Sequence, residues 1–222
     1  FKLADAVRPD ATLSINEYNV INSANDNFAI QYRDLVQSLL DAGAPIDRIG
    51  VQAHISRNDI SKEDIVRRLD LLAETGLPIE ISEFDTRDDA ATPQLNEAEQ
   101  EQMFRDILEA SFEHPSVDGF ILWGIWDKVH WRGNAPLYDA NWNIKPEAAA
   151  WFDLVRDEWQ PNITGQPVGR DGRWDAPIGL YHGTYEITAE ANGVSSATTV
   201  TISDDSSIVI TVDTEAAVRS EE

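Results

Sequence analysis

The sequence contains no cysteine, so disulfides and thiolate chemistry are excluded and the redox compartment is left open. Cations are scarce: 17 lysines and arginines stand against 40 aspartates and glutamates, for a net charge of -23. So acidic a chain lacks the basic footprint that nucleic acid requires. It is also repelled by anionic membranes, so neither nucleic acid nor a membrane is an expected partner. It suits a neutral substrate, with self-repulsion keeping it dissolved even in salty water. No apolar run approaches the roughly 18 residues of a transmembrane helix. No glycine-rich phosphate loop follows a strand, so a dinucleotide fold has no support. No nucleophile elbow supports a serine triad. The four histidines are scattered without ligand spacing, and neither a metal nor an organic cofactor is expected. What is present, at 42% hydrophobic and 26% charged over 222 residues, is the composition of a globular protein with material for a core.

The N-terminus has no signal-peptide character. It opens as if in mid-helix, with Leu3, Ala6 and Val7 on one helical face and no cap before them, which suggests a chain that begins partway through a domain. Strands are then expected over 11–18, 48–55, 77–85 and 117–123. Between them the helical period returns. A helix over 25–40 turns Leu35, Val36, Leu39 and Leu40 inward and closes at Gly43. A second starts at the capping box Ser61 to Asp64 and carries Ile65, Leu69 and Leu72 to Gly76. A third starts at Asn96 to Glu99 with Met103, Phe104, Ile107 and Leu108 facing in, and stops at His114-Pro115. A long aromatic loop over 124–143 leads to a last helix over 146–159.

This alternation is the βα rhythm of a parallel sheet. Polar or aromatic residues end every strand: Asn16 to Tyr18, Gln52 and His54, Glu83 and Asp85, Trp123. That regularity favours a barrel, whose catalytic groups sit at the C-terminal ends of its strands. Four βα units make half of an eight-stranded barrel. Residues 1–160 are therefore read as half a barrel and 161–175 as a linker. A small antiparallel β module follows over 176–213, with strands over 180–189, 197–202 and 208–212, and then an acidic tail over 214–222. Trp174, Tyr181 and Tyr185 could form a sugar-stacking face of this module or its own core, the core being favoured in so small a module.

Glu83 ends the third strand and is a candidate nucleophile for glycoside hydrolysis, which uses two carboxylates. Asp85 could orient His54, and His54 could hydrogen-bond Glu83 and keep it ionised. Against this, Glu83 could be a helix cap or surface charge and His54 a satisfied core histidine. Trp123, Trp126, Trp131 and Trp142 cluster in and after the fourth strand. Indoles stack on the apolar faces of sugars, with Gln52, Asn16, Lys128 and Arg132 available for hydroxyls. Trp142 and Trp151 are instead assigned to the core.

At this point the residues resemble a known family. Five segments are similar, in order, to the C-terminal half of family 10 glycoside hydrolases, the retaining endo-β-1,4-xylanases with a (β/α)8 barrel. Asn16-Glu17-Tyr18-Asn19 resembles the family's Asn-Asp-Tyr-Asn after strand 5, and Gly50-Val51-Gln52-Ala53-His54 its Gly-Val-Gln-Ser-His on strand 6. Ile81-Ser82-Glu83-Phe84-Asp85 resembles the Ile-Thr-Glu-Leu-Asp of strand 7. Gly119 to Gly124 with Asp127-Lys128 and Trp131-Arg132 resembles the strand 8 motif, and Asp139 to Pro146 the Asp-x-Asn-Tyr-x-x-Lys-Pro that follows it. The resemblance implies Glu83 as nucleophile supported by His54 and Asp85. It implies Gln52, Trp123 and Trp131 around the sugar beside the cleaved bond, with Tyr18 and Asn16 on the leaving-group side. Trp126 replaces a family threonine and could reshape the cleft, with Arg132 beside it.

The family's acid/base glutamate lies in a Trp-Asp-Val-Val-Asn-Glu motif at the end of strand 4, which this sequence does not contain. Glu17 is not that acid: the acid and nucleophile belong three strands apart, and Glu17 is two strands before Glu83. The expected partners are xylan or a xylo-oligosaccharide and an N-terminal barrel half carrying the acid. The polymeric substrate implies a secreted or cell-surface protein. Two other readings stay open: a catalytically silent xylan-binding or scaffold fragment, and a related barrel glycosidase acting on another β-glycan.

Overall fold

A computed structural model describes residues 1–86, 95–160, 162–164, 180–191 and 193–203. The chain divides into two compact units, Phe1–Glu158 and Trp159–Glu222. The first opens on a six-residue helix α1 (Lys2–Val7) that buries no side chain; Leu3 and Val7, expected to share an inward face, are both exposed. Strand β1 (Ser14–Glu17) follows, then helix α2 (Asn27–Asp41), β2 (Arg48–Val51), the short β3 (His54–Ile55) and helix α3 (Lys62–Ala73). The unit continues through β4 (Ile79–Thr86), helix α4 (Glu97–Glu113), β5 (Val117–Leu122) and helix α5 (Pro146–Trp151).

The strands are parallel and in sequential order, β1 beside β2, β2 beside β4 and β4 beside β5, with β3 pairing the far end of β4. Parallel neighbours need crossovers, and α2, α3 and α4 supply them. Their apolar stripes meet the side chains that alternate strand residues turn one way: Ile49 and Val51, Ile79 and Ile81, all fully buried with Ile65, Leu69, Leu72, Phe104 and Ile107. The capping boxes form as expected, Ser61 with Asp64 and Asn96 with Glu99, and the left-handed Gly43 and Gly76 follow the ends of α2 and α3.

Some expectations fail. The strand expected over 48–55 is broken at Gln52-Ala53, where Ala53 takes φ +60° and the chain restarts as β3. In α2 the buried stripe is Ala29, Tyr32 and Val36; Leu35, expected inward, is 48% exposed, because the face is set by Tyr32 reaching between β1 and β2. The Tyr32 hydroxyl lies 2.8 Å from the Ile15 carbonyl and 3.1 Å from that of Gly50. Burial, with the charge of Glu17 adding, pushes its pKa upward. The last helix is α-helical only to Trp151 and π-helical over Phe152–Glu158. Trp151 packs against Phe104 and Phe120 as a core residue would. Trp142 does not: it is 55% exposed.

Two register shifts matter for the site. Ile79 faces Val117 while Glu80 faces Gly119, so Asp118 is an extra residue in β5. Ile81 faces Phe120 and Phe84 faces Leu122, so one extra residue sits at Ser82-Glu83 in β4. Such bulges re-aim side chains.

In the second unit, β6 (Gly183–Ala191) and β7 (Val194–Ile202) form an antiparallel hairpin in unbroken register. The first strand starts three residues later than expected and runs two further, and the second starts three residues earlier and ends where expected. The strand expected over 208–212, the linker apart from 162–164, Trp174 and the acidic tail lie outside the described residues. Tyr185 donates its hydroxyl hydrogen to the Tyr181 carbonyl at 2.9 Å.

Candidate active site

Strands β1, β3 and β4 bring four predicted residues, Asn16, His54, Glu83 and Asp85, into one hydrogen-bonded chain. The His54 Nδ1 lies 2.9 Å from Asp85 Oδ1, and its Nε2 lies 3.3 Å from Glu83 Oε2. A carboxylate only accepts, so the Nδ1 hydrogen is donated to Asp85. Nε2 therefore turns toward Glu83, and a hydrogen bond there requires one proton between imidazole and carboxylate.

The other Glu83 oxygen, Oε1, accepts from Asn16 Nδ2 at 3.0 Å, while Asn16 Oδ1 accepts from Ser82 Oγ at 2.8 Å. These two contacts fix which way the amide faces. They exist because the bulge turns Ser82 and Glu83, neighbours in sequence, toward the same partner. Gly50 leaves room for it: a Cβ there would sit 2.7 Å from Asn16 Oδ1. Glu83 keeps about a fifth of its side chain exposed, whereas Asp85 is fully enclosed.

Asp85 is the hub. Besides His54, its Oδ1 lies 3.3 Å from Arg132 Nη1; its Oδ2 accepts from Trp131 Nε1 at 2.9 Å and lies 3.3 Å from His130 Nε2. Arg132 also stacks on Trp131, its guanidinium carbon 4.2 Å from the ring centroid. The Trp131 and Trp123 rings stand edge-on to His54, with centroids 5.2 Å and 6.4 Å away, and both indoles are exposed. The arrangement is a partly exposed carboxylate held between the Asn16 amide and the His54 imidazole, walled by two open indoles and backed by a buried carboxylate. It can present an oxygen nucleophile to a ring stacked on the indoles.

The remaining predicted residues lie outside this cluster. Tyr18 is exposed and meets Phe28 edge-on at 6.3 Å. Gln52 sits at the break between β2 and β3, where its backbone N–H donates to the Glu17 carbonyl at 3.0 Å. Glu17 Oε1 accepts from the backbone N–H of its neighbour Tyr18 at 2.8 Å. Trp126 stacks nearly parallel on Trp142, 4.6 Å between centroids and 12° between planes, with Lys128 5.5 Å from its ring. These side chains belong to the loop after β5, which Lys145 braces from inside. Its Nζ donates to the Ala135 carbonyl at 2.8 Å and pairs with Asp127, Glu147 and Asn134. A cavity of about 520 Å3 nearby shares only Arg132 with the cluster, so its size does not mark the chemistry. No metal-binding group of histidines and carboxylates occurs among the described residues.

Sequence reasoning missed His130 and Ser82. His130 looked like one more scattered histidine; its place directly before Trp131 in the aromatic loop was the available signal.

Comparison with known proteins gives one consistent result. Residues 1–154 match the profile of glycosyl hydrolase family 10. The chain is 30% identical over 195 residues to the anti-sigma-I factor RsgI6 of Acetivibrio thermocellus, covering 87% of this chain and 24% of that protein. It is 33% identical over 159 residues to endo-1,4-beta-xylanase B of Thermotoga neapolitana, covering 68% of this chain and 45% of that one. Among solved structures, a mutant of the intracellular xylanase of Thermoanaerobacterium saccharolyticum in complex with xylotetraose aligns with a TM-score of 0.57 at 27% identity, covering 68% of this chain and 47% of that chain. The chain thus spans less than half the length of each of these relatives.

Proposed function

The chain belongs to glycosyl hydrolase family 10, and from that premise we propose that it is the nucleophile-bearing part of a retaining endo-β-1,4-xylanase. The four parallel βα units are read as the last four of a (β/α)8 barrel. A glutamate from an N-terminal half outside this chain acts as acid and base.

The observation that carries this reading is the Glu83 carboxylate held between Asn16 and His54, with Asp85 behind the imidazole. These contacts aim the Glu83 carboxylate. Its oxygen forms a bond to the anomeric carbon as the glycosidic C–O bond breaks, and the upstream acid gives its proton to the departing oxygen. Water, deprotonated by that same group, then displaces Glu83 with a second inversion. Trp123 and Trp131 stack the reacting sugar. Gln52 and Arg132 serve its hydroxyls, Asn16 and Tyr18 the leaving-group side, and Trp126 a more distant part of the cleft. The relative bound to xylotetraose supports a xylo-oligosaccharide as ligand. A polymeric xylan would place the enzyme outside the cell.

A second reading has its own support. One similar protein is an anti-sigma factor, so a chain of this kind could bind xylan and report on it without cleaving it.

Incubation with a 2-fluoro-xylobioside bearing a dinitrophenyl leaving group, followed by intact mass and peptide mapping, separates the two. That leaving group needs little help from an acid, so the nucleophile is tested alone. The expected result is a stable adduct on Glu83, absent from Glu83→Gln. Retained xylan binding without any adduct, with the N-terminal half present, would favour the sensor reading.

A further inference from the structure

Taking Glu83 as the nucleophile, as proposed above, we propose that His130 is a positioning residue of the same site. It ties the Trp123 carbonyl to the Asp85 carboxylate and so sets the two indoles that wall the reacting sugar.

The imidazole is almost wholly enclosed, its side chain 1% exposed, so it does not touch a substrate. Its nitrogens have distinct jobs. Nδ1 accepts from the Arg132 backbone N–H at 3.4 Å. Nε2 lies 2.9 Å from the Trp123 carbonyl and 3.3 Å from Asp85 Oδ2. Since Nδ1 accepts and both partners of Nε2 are acceptors, the hydrogen sits on Nε2 and is shared between them. Burial pushes the pKa of His130 down despite the nearby Asp85, which keeps the ring neutral. Asp85 already has the Arg132 cation. What His130 adds is direction.

The two points it joins control the indoles. Trp123 is held from one side by its own N–H, which donates to the Phe84 carbonyl at 2.9 Å, and from the other by His130 on its carbonyl. Trp131 is held by Asp85 through its indole N–H. The backbone makes space for the ring: Gly124 takes φ +84°, and a Cβ on it would lie 3.0 Å from His130 Cδ2.

The competing explanation is packing, an imidazole that merely fills a hole. His130→Met and His130→Gln separate the two, because both fill similar volume while only glutamine offers an N–H to the Trp123 carbonyl. On a dinitrophenyl β-xylobioside without the 2-fluoro group, which turns over, His130→Met is expected to lower kcat/KM by about 10²-fold, the scale of an ångström-level misplacement, and His130→Gln to recover at least tenfold of that. The indole N–H resonance of Trp131 gives a readout independent of turnover. Its hydrogen exchange should accelerate at least tenfold in His130→Met and return toward the wild-type rate in His130→Gln. Equal losses in the two variants, or unchanged Trp131 exchange in His130→Met, would overturn the proposal. If the wild-type protein fails to turn over the glycoside, the hydrolase reading fails, and the Trp131 exchange still decides the role of His130.

Discussion

At the N-terminal ends of the parallel strands Arg48 reaches Glu80 at 3.0 Å and Asp118 at 2.7 Å; at their C-terminal ends Asp85 gathers Arg132, His54, Trp131 and His130. Each cluster contains two carboxylates and one arginine, and each depends on a bulge, at Asp118 or at Ser82-Glu83. The difference is distribution. In the lower cluster one guanidinium sits directly on both carboxylates and bridges them where they stand. In the upper one the arginine is spent on the buried Asp85, and Glu83 is left to neutral or titratable donors with part of its surface open. Like residues at opposite strand ends thus give a closed clamp and a partly open carboxylate, and in parallel βα barrels it is the C-terminal end that carries chemistry.

The largest contrast should come from amidating one carboxylate in each cluster. Asp85→Asn keeps the shape but offers N–H groups to two of the donors now converging on it. Because the group is enclosed, stability should fall by about 3 kcal/mol, and formation of the Glu83 adduct should slow by more than about 10²-fold. Asp118→Asn acts on a partly exposed carboxylate and should cost less than about 1 kcal/mol, with adduct formation unchanged. Urea unfolding and the adduct rate by mass spectrometry measure both. A slowed adduct in Asp118→Asn would break the distinction between the ends.

A smaller effect is expected from Arg48→Met. It leaves Glu80 and Asp118 facing each other without their cation, at a cost of about 1–2 kcal/mol after allowance for their exposure. The rate of adduct formation per folded molecule should not change, since no contact of Arg48 reaches Asn16, Glu83 or His54.

Much of this was legible in the sequence. Caps and closing glycines fixed the helices, and motif order placed Asn16, His54, Glu83 and Asp85 at strand ends. What escaped has physical causes. A period-of-two reading assumes an unbroken strand, so it could not see that one extra residue lets both Ser82 and Glu83 reach Asn16. The break at Ala53 uses a positive φ without a glycine to announce it. Trp142 reads as core because an indole is large and apolar, yet it stacks on Trp126 beside Tyr138 and stays more than half exposed. Spacing alone turns Leu35 inward, whereas the helix is rotated by the hydrogen bonds of Tyr32. His130 carried no spacing signal at all, since its partners are a backbone carbonyl and a carboxylate 45 residues away in sequence.

The smallest expected effect lies away from both clusters and gives a baseline for ordinary surface electrostatics. Asp64 in the α3 capping box accepts from the Ser61 N–H at 3.0 Å and pairs with Arg67, and these contacts lower its pKa to about 2. Its unfolded value is about 3.9, so the carboxylate's contribution is fully present above that pH and is lost as the pH falls toward the folded value. Asp64→Ala should therefore cost about 1 kcal/mol at pH 7, the usual worth of a cap, and the gap from wild type should close between about pH 4 and pH 2. Urea midpoints at pH 7, 4 and 2.5 test this. A gap that stays constant across that range would mean the box is held by something other than the Asp64 charge, and the same doubt would then extend to Asp118, whose exposure is similar in kind.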